Sequence, residues 1–389
     1  MRSNFPPERL RVAITAEQLL RPIPGGVGTY TEQLIRAYSR AFDAPLVLTS
    51  RPSRRNDRDL GFGGEHRATP FPHRLGGRLW EREVLAAPRR LRTFDVLHAT
   101  SFHFPRVAKV RPGHDGLRLS VFVHDLAWRI HPEFFPARGR AFHDRGLDRA
   151  RQHAELLLVP SQRTARDLIG VGIPDSKVFV VGEGGDHLPA PAAVRKVPAK
   201  PYLMTVSTIE PRKNLGNLMR AYEIAKRGSA AFPDLVVVGA PGWSGTADTS
   251  TPRSVDGVRF AGQISNQALA DLYADALAFV YVPHLEGFGL PPLEAMHAGV
   301  PVVASSAVPS VTESTEPDHE PAQIVNAGDV EAIAMAITRI VADPELRAEL
   351  VSRGAVHAEH QTWDRVARRH HDAWIQSMPG RDESTGQAP

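Results

Sequence analysis

Two glutamates flank a glycine-rich turn, and this arrangement suits the binding of a ligand with several hydroxyl groups. Residues 282–304 read VPHLEGFGLPPLEAMHAGVPVVA, in which a strand is followed by a loop, a helix that starts at a Pro-Pro pair, and a further strand. The backbone amides of Phe288–Leu290 are predicted to be free at the start of this helix, where a phosphate or a sugar hydroxyl can bind. Glu286 and Glu294 can each accept hydrogen bonds from neighbouring hydroxyls. A second interpretation is that Glu294 only complements the helix dipole.

A pair of cations, Arg212 and Lys213, follows another strand in the segment PYLMTVSTIEPRKNLGNL. We expect them to open a helix, where positive charge opposes the helix dipole unless an anion is bound beside it. A diphosphate is an anion of this kind. The alternative is that both are ordinary exposed basic residues.

Two loops in the N-terminal half carry further candidates. A Gly-Gly-Val-Gly loop that contains Gly26 and Gly28 precedes a predicted helix at 29–39, but a threonine takes the place of the third glycine of a dinucleotide-binding fingerprint. Farther along, a predicted strand ends in His124 and Asp125. This pattern predicts either a histidine of a binding site or a polar strand end whose histidine is satisfied by its neighbours.

Alternating strands and amphipathic helices must position these residues. Apolar runs predict strands at 11–15, 45–49, 95–99, 119–124, 156–160, 178–181, 202–206, 235–238, 258–261, 276–282 and 300–304, and helical patterns occupy 29–39, 215–226, 327–341, 344–355 and 363–376. A proline-rich linker at 189–201 divides this series. The alternation on both sides predicts two doubly wound α/β domains, at 1–188 and 202–362, that face each other across a cleft. We expect the helix at 363–378 to cross back to the N-terminal domain, and the tail at 379–389 to be disordered.

The segment EGFGLPPLEAMHAGVPVVAS, residues 286–305, resembles the signature of the retaining glycosyltransferases of family 4, which have the GT-B fold of two Rossmann-like domains. Seven residues separate the two glutamates of that family, as they separate Glu286 and Glu294 here. The resemblance covers about residues 10–375. It implies that Glu294 binds the ribose of a nucleotide sugar and that Glu286 lies at the transferred sugar, with the backbone of Phe288, Gly289 and Leu290 around it.

The resemblance also implies roles for the other candidates. Arg212 and Lys213 would clamp the donor diphosphate, and His124 would lie beside the donor sugar and the acceptor. Gly26 and Gly28 would approach the donor from the opposite wall of the cleft. The nucleotide would be enclosed by small-residue loops, mostly through backbone groups, at Thr208, Gly239, Gln263, Ile264 and Ser265. The chain departs from the family pattern at Ser207, where glycine is usual, and near Glu313, where the family often has Pro-Glu.

Composition argues against several other classes of protein. The 389 residues contain no cysteine, which excludes disulfides, thiolate metal sites and cysteine nucleophiles. Asp57 and Asp59 have the spacing of a metal-binding Asp-x-Asp, but they lie among arginines with no strand before them, so we predict neither a metal nor another cofactor. The first residues show no signal peptide and no apolar run has the length of a membrane span, so we expect a cytoplasmic protein.

The net charge of +4 conceals two halves of opposite sign. Residues 1–200 carry 33 Lys and Arg against 20 Asp and Glu, whereas residues 201–389 carry 14 against 23. A basic half can meet an anionic membrane, a nucleic acid or an acidic acceptor, or it can reflect an arginine-rich coding bias. Nucleic acid is not expected, because no aromatic residues recur at the spacing of a stacking platform. We expect peripheral binding to the inner face of a membrane that carries a lipid-linked acceptor.

The resemblance to the family 4 glycosyltransferases, together with these residues, implies a metal-independent retaining glycosyltransferase. It would move a hexose from a nucleotide-diphosphate sugar, with GDP-mannose favoured, to a glycan or lipid-linked acceptor in surface polysaccharide or glycolipid assembly. A UDP- or dTDP-sugar-dependent transferase, a nucleotide-sugar epimerase of the same fold and a glycoside phosphorylase are the alternatives. The sequence predicts neither the acceptor nor the oligomeric state.

Overall fold

Two parallel β-sheets covered by helices form the part of the chain that the computed structural model describes. The described residues are 10–21, 23–49, 65–68, 80, 91, 93–107, 116–194, 200–227, 229, 231–240, 255–313 and 320–378. Their strands are β1 Val12–Thr15, β2 Leu46–Thr49, β3 His66–Ala68, β4 Val96–Ala99, β5 Arg118–Phe122, β6 Leu156–Val159, β7 Val178–Val180, β8 Tyr202–Val206, β9 Asp234–Val238, β10 Val258–Gly262, β11 Ala278–Tyr281, β12 Val302–Ser305 and β13 Gln323–Val325.

The α-helices lie between and after these strands. They are α1 Gly25–Ala41, α2 Ala127–Ile130, α3 Ala137–His153, α4 Gln162–Gly170, α5 Leu215–Lys226, α6 Asn266–Asp275, α7 Leu290–His297, α8 Pro309–Thr312, α9 Val330–Ala342, α10 Pro344–Glu359 and α11 Trp363–Gln376. Short 3-10 turns occupy Glu17–Leu20, Pro132–Phe134, Asp175–Lys177 and Pro211–Lys213. The proline-rich segment, described at 189–194 and 200–201, connects β7 to β8, and the predicted tail at 379–389 lies outside the described residues.

Each sheet is doubly wound. The first has the strand order β3-β2-β1-β4-β5-β6-β7 and the second β10-β9-β8-β11-β12-β13, with parallel pairing throughout. The order reverses beside β1 and beside β8, so a crevice opens at the carboxyl ends of the strands there. The central strands are short apolar runs that are buried on both faces, which is why an alternating pattern is absent from them. The α/β prediction is confirmed.

The structure corrects several element boundaries and adds elements. Gly25–Gly28 form the first turn of α1 and do not form a loop ahead of it. Three elements were not predicted from the sequence: β3 and β13, which have three residues each, and α3, whose many arginines obscure its apolar stripe. Helix α3 buries only Gly146, Leu147, Arg149 and Ala150. So small a buried face does not distinguish a helix from a charged loop in the sequence.

The last helix, α11, packs against α1 and joins the first sheet through a buried polar network. The Tyr30 hydroxyl lies 2.9 Å from Nε2 of His98 and 2.8 Å from Nε2 of His370. Ser120 Oγ lies 3.1 Å from Nδ1 of His98 and accepts a hydrogen bond from Trp374 Nε1. Burial lowers the pKa of His98 and lowers the pKa of His370 to about 4, so both imidazoles are neutral at pH 7. Neutral groups with partners at both ring nitrogens can be buried here at little cost.

Candidate active site

Arg212 and Lys213 lie on the 3-10 turn Pro211–Lys213 that follows β8, rather than in the first turn of a helix. Helix α5 begins only after Asn214, which has a left-handed backbone conformation with φ of 59°. The Asn214 side-chain amide donates to two backbone carbonyls, one after β11 and one after β13, at 2.8 and 2.7 Å. These bonds hold the two cations next to the loop that follows β11.

Glu286 is the buried anion of that loop. Its Oε1 lies 2.6 Å from Lys213 Nζ and accepts a hydrogen bond of 2.8 Å from the Tyr281 hydroxyl, and its Oε2 lies 3.7 Å from Arg212 Nη1. Burial raises the pKa of Glu286, but the charges of Lys213 and Arg212 outweigh burial and hold that pKa below its usual value. The carboxylate is therefore ionised. It forms a compact cluster with Arg212 and with Lys213, and Lys213 lies 73 residues before Glu286 in the sequence.

Arg212 is surrounded by carboxylates from both halves of the chain. Its Nη1 lies 3.0 Å from Oδ2 of Asp125, which follows β5, and its Nε and Nη2 lie 3.2 and 3.1 Å from Oε1 of Glu210. Burial lowers the pKa of Arg212, but the charges of Glu286, Asp125 and Glu210 outweigh burial and raise it above the usual value. Because the bond to Asp125 bridges the crevices of the two sheets, an anion that binds Arg212 there must compete with Asp125.

The glycine turn between the two glutamates is in tight contact with the N-terminal half. A Cβ atom on Gly287 would lie 1.8 Å from the carbonyl oxygen of His124. The carbonyl of Gly287 accepts hydrogen bonds from Ser161 Oγ at 2.6 Å and Thr164 Oγ1 at 3.3 Å. Gly289 has a φ of 101°, a backbone conformation that residues with a Cβ atom rarely adopt. The turn thus needs glycine at 287 to lie against the N-terminal half, and at 289 to adopt its backbone conformation.

The start of α7 leaves backbone donors beside this turn. Leu290 is the first residue of the helix, and the first amides of a helix have no partner within it. Within the described part of the chain, the amides of Phe288 and Gly289 likewise donate no hydrogen bond. The Ser310 amide and hydroxyl instead bind the carbonyls of this turn, at 2.8 and 2.6 Å. The predicted free donors are therefore present.

Glu294 lies one turn into α7, and its side chain is held by partners from other elements. The Tyr273 hydroxyl on α6 donates to Oε2 at 3.0 Å, and His187 Nε2 lies 3.5 Å from Oε1. The residue is buried, with 7% of its surface exposed. Glu294 thus joins α7 to Tyr273 on α6 and to His187, in addition to any interaction with the helix dipole.

His124 lies at the end of β5, and both of its ring nitrogens have a neighbour. Nε2 lies 3.0 Å from the carbonyl oxygen of Thr100, and Nδ1 lies 3.5 Å from Oε1 of Glu183. The ring meets that of Tyr30 edge-on, with centroids 5.2 Å apart. These contacts fit the interpretation in which the ring of His124 is satisfied by its neighbours. The backbone carbonyl of His124 is the group that contacts the glycine turn.

The remaining candidates of the C-terminal half lie on adjacent loops after β8, β9 and β10, namely Thr208, Gly239, Gln263, Ile264 and Ser265. A Cβ atom on Gly239, whose φ is 144°, would lie 1.9 Å from the carbonyl oxygen of Ser207. The Gly239 amide donates to the carbonyl of Gly262 at 2.9 Å, and Ser265 caps α6 through the Ala268 amide. These three loops form one edge of the crevice beside β8.

Gly26 and Gly28 have different surroundings within the first turn of α1. Gly26 is exposed, and a Cβ atom there would meet nothing within 4 Å, whereas one on Gly28 would lie 2.2 Å from Cβ of Pro24. Tyr30 on the same helix contacts His124, so α1 begins on the His124 side of the crevice. No described contact joins either glycine to the cluster around Glu286.

Both halves of the chain match known protein families. Residues 25–184 match the family described as Glycosyl transferase 4-like domain, and residues 190–357 match Glycosyl transferases group 1. The O-antigen chain mannosyltransferase B of Escherichia coli is 26% identical over 384 residues, which span 91% of this chain and 97% of that protein. The chain belongs to the group 1 glycosyltransferases. The D-inositol 3-phosphate glycosyltransferase of Acidothermus cellulolyticus is 35% identical to this glycosyltransferase over an alignment of 163 residues. The alignment covers 38% of this chain and 36% of the relative.

Solved structures share the fold of this glycosyltransferase. Anabaena HepE in complex with UDP-glucose superposes with a TM-score of 0.70 at 17% identity, covering 95% of this chain and all of that one. Sucrose-phosphate synthase from Thermosynechococcus elongatus superposes with a TM-score of 0.68 at 19% identity, covering 95% and 99%. The predicted GT-B fold is confirmed.

Two further features of the glycosyltransferase bear on what it can bind. Within the described ranges, no group of three or more His, Asp or Glu side chains is arranged to hold a metal ion, and Asp57 and Asp59 lie outside those ranges. Nor is any helix of the described part long and apolar enough to cross a bilayer.

Sequence reasoning missed several side chains of this site. Asp125 follows a predicted strand next to His124, and Glu183 comes after the predicted strand at 178–181, but nothing local shows that they face Arg212 and His124. Tyr281 is the last residue of an apolar strand and reads as core. The only signal available for Glu183 is a carboxylate inside a run of apolar and glycine residues, VVGEGGD, which predicts burial without naming a partner.

Proposed function

We propose that this enzyme is a retaining glycosyltransferase that moves a hexose from a nucleotide-diphosphate sugar to a glycan or lipid-linked acceptor. The observation that carries the proposal is the cluster of Arg212, Lys213 and Glu286, together with the free amides that follow Glu286 in the same loop at the start of α7. Two cations and a helix N-terminus can balance a diphosphate, and a buried carboxylate beside them can bind the hydroxyls of the transferred sugar.

The donor we favour is GDP-mannose. The relative that spans nearly the whole chain is an O-antigen chain mannosyltransferase, and this points to surface polysaccharide or glycolipid assembly. HepE, a structural neighbour, is seen with UDP-glucose, so a UDP- or dTDP-sugar remains the second candidate. The loops at Thr208, Gly239 and 263–265 would enclose the base through backbone groups, which accounts for the lack of a side-chain signal for its identity.

The transfer can proceed without a metal ion in this proposal. The acceptor hydroxyl attacks C1 of the sugar from the face that the diphosphate leaves, so that the new C1–O bond keeps the configuration. The C1–O bond to the diphosphate breaks, and the departing phosphate oxygen takes the proton of the acceptor hydroxyl. Arg212, Lys213 and the amides of α7 stabilise the charge that develops on the leaving group. Closure of the two halves excludes water and so limits hydrolysis of the donor.

A panel of nucleotide sugars tests the proposal directly. We expect GDP-mannose to raise the melting temperature more than GDP alone, UDP-glucose or a dTDP-hexose, because the correct donor adds sugar contacts to the nucleotide contacts. Transfer of labelled mannose to a lipid extract, with EDTA present throughout, should then continue. Turnover that EDTA abolishes and Mg²⁺ restores would contradict the metal-independent reaction.

An epimerase of the same fold is separated from a transferase by leaving out the acceptor. An epimerase converts the donor sugar with no second substrate, whereas a transferase leaves it intact or hydrolyses it slowly. Chromatography of the sugar after incubation with the donor alone shows whether it has been converted to its epimer. A glycoside phosphorylase would instead require inorganic phosphate and would release a sugar phosphate.

We also propose that the N-terminal half contacts the inner, anionic face of a membrane. Support comes from the charge of residues 1–200 and from exposed arginines on α3, namely Arg138, Arg145 and Arg151. Arg89, Arg90 and Arg92, which belong to the same basic excess, lie outside the described residues. Sedimentation with vesicles that contain anionic lipid should capture the protein at low salt and release it at high salt. Equal sedimentation with neutral vesicles would remove this proposal.

A further inference from the structure

We propose that Glu183 is a positioning residue for the transfer reaction, because it shares one proton with His124 and thereby fixes the imidazole at the crevice. The consequence for transfer rests on the proposed function above, whereas the contact between the two side chains does not. Glu183 follows β7 in the N-terminal half, 59 residues after His124 in the chain.

Both nitrogens of His124 face groups that can accept a proton. The Thr100 carbonyl, 3.0 Å from Nε2, can only accept, so Nε2 carries a hydrogen. Nδ1 lies 3.5 Å from Oε1 of Glu183, whose surface is 5% exposed. At this distance two lone pairs would repel, so the contact is favourable only with one proton on one of the two atoms. Among the described residues, His124 is the ion-pair partner of this buried carboxylate, so we place that proton within the pair.

Either location of the proton leaves the pair with no net charge. The pair is a neutral imidazole with a protonated carboxyl group, or an imidazolium with a carboxylate. Burial raises the pKa of Glu183, and the contact with His124 only partly offsets this rise. The Glu183 carboxyl group is therefore easier to protonate than a carboxyl group in water.

The groups that face this pair come from four elements. Glu286, after β11, raises the pKa of Glu183, and His187, after β7, lowers it. Tyr30 on α1 and His98 on β4 lie on the other side, and burial keeps both of them uncharged. Glu286 is therefore a negative charge that acts on Glu183, and it favours retention of the shared proton.

The backbone around Glu183 allows the side chain little freedom. A Cβ atom on Gly184 would lie 2.4 Å from the Trp363 amide nitrogen, and one on Gly185 would lie 2.6 Å from the Leu293 side chain. The Gly185 amide donates to a carbonyl just before α11, and the Trp363 amide donates to Asp186. The segment is thus clamped between α7 and α11, so Glu183 is held opposite His124 at a point where both halves of the enzyme meet.

This arrangement assigns a definite part to His124. With both nitrogens engaged, the imidazole does not take the proton of the acceptor hydroxyl, which agrees with a leaving phosphate that does so. The ring instead forms a fixed wall of the crevice, and its carbonyl lies against the glycine turn that carries Glu286. Loss of Glu183 would let the ring rotate, and displacement of a group beside the reacting centre by about 1 Å can cost about 100-fold in rate.

The test compares Glu183→Gln with Glu183→Ala. The glutamine can donate an N–H to Nδ1 and so keeps the ring in place without a shared proton, whereas the alanine leaves Nδ1 without a partner. We expect Glu183→Gln to retain kcat within a few-fold. The kcat of the wild type should decline at alkaline pH as the shared proton is removed, whereas that of Glu183→Gln should not, because the variant has no such proton. Glu183→Ala should lose about 100-fold in kcat with the KM for the donor nearly unchanged.

Nitrogen NMR of the histidine-labelled protein without any donor reads the proton itself. The Nδ1 signal of His124, assigned by its absence from His124→Asn, should lie between the protonated and unprotonated positions in the wild type and move to the unprotonated position in Glu183→Gln. The matched control is Glu155→Gln, since Glu155 is another partly buried carboxyl group of the same half with a raised pKa, bonded to the Leu119 amide. It should alter neither the Nδ1 signal nor the pH profile.

The two readouts keep the possible failures apart. An Nδ1 signal that is the same in the wild type and in both Glu183 variants overturns the shared proton, whatever the enzyme transfers. If the signal moves as expected but Glu183→Ala keeps its kcat, the positioning role is overturned. If no nucleotide sugar supports transfer, the proposed function fails while the NMR comparison still decides the contact.

Discussion

Replacement of Asp125 by asparagine should strengthen the binding of a nucleoside diphosphate. Asp125 Oδ2 lies 3.0 Å from Arg212 Nη1, and the two side chains are 23% and 13% exposed. If Arg212 clamps the diphosphate, the incoming anion must displace Asp125 or bear its repulsion. Asparagine has the same shape and can still accept the bond from the Ala127 amide that Asp125 Oδ1 accepts at 2.9 Å, so only the competing charge is removed.

The size of the effect follows from the geometry. Two unit charges about 4 Å apart interact by about 4 kcal/mol at the effective dielectric constant of about 20 that suits such sites. Much of this attraction offsets the desolvation of the two groups, so a net gain of about 1 to 2 kcal/mol is expected for the competing anion. The Kd of the preferred nucleoside diphosphate should therefore fall by roughly 5- to 30-fold.

Isothermal titration of GDP and UDP into both proteins measures this change. The matched control is Glu313→Gln, because Glu313 also joins the two halves, through the amides of Gln162 and Arg163 at 2.7 Å each, but makes no described contact with Arg212. The control should shift Kd by less than about threefold. If Asp125→Asn binds no tighter than the wild type, or if the control tightens binding equally, the competition for Arg212 is refuted.

Four further results are expected. Lys213→Ala should lower kcat/KM by about 2 to 4 kcal/mol of transition-state stabilisation, measured by steady-state kinetics, and a wild-type value would disprove its role at the diphosphate. Gly287→Ala should lose transfer while it stays folded by circular dichroism, because its Cβ would meet the His124 carbonyl; full activity would show that the contact is loose. Tyr30→Phe should lower the free energy of unfolding in urea by about 1 to 3 kcal/mol, since two buried histidines lose their partner, and an unchanged midpoint would argue against the network. Stability should also fall by about 3 kcal/mol between pH 6.5 and 4, because burial lowers the folded pKa of His370 to about 4 and the unfolded chain takes up the proton first; a flat curve from urea titrations over that range would contradict it.

Much of the fold could be predicted from local sequence patterns. The apolar runs at 202–206 and the helical pattern at 215–226 coincide with β8 and α5, because a short buried strand and an amphipathic helix have different apolar periods. The start of α1 was placed four residues late, since three glycines in four residues read as a loop. Tertiary packing of α1 against α11 overrides the low helix propensity of glycine, since Tyr30 and Tyr38 on α1 contact His370 and His371 on α11.

Many residues of the candidate site could also be predicted from the sequence, because they lie close together in short segments. The turn with Glu286 and Glu294 carries its own glycines and prolines, and these residues decide the local backbone. The cation pair was located correctly but was assigned to a helix, because the left-handed Asn214 that separates the turn from α5 has no clear sequence signal.

The amino-acid sequence by itself determined the two α/β halves, the glycine turn with its two glutamates, and the cations that follow β8. Each of these depends on residues within about ten positions of one another, where periodicity, glycine and proline restrict the backbone. Only the tertiary structure decided that Lys213 binds Glu286, that Asp125 binds Arg212 and that Glu183 faces His124. Those partners are 59 to 87 residues apart, and they meet because parallel strands bring their carboxyl ends to one edge of each sheet and because α11 joins the second half to the first.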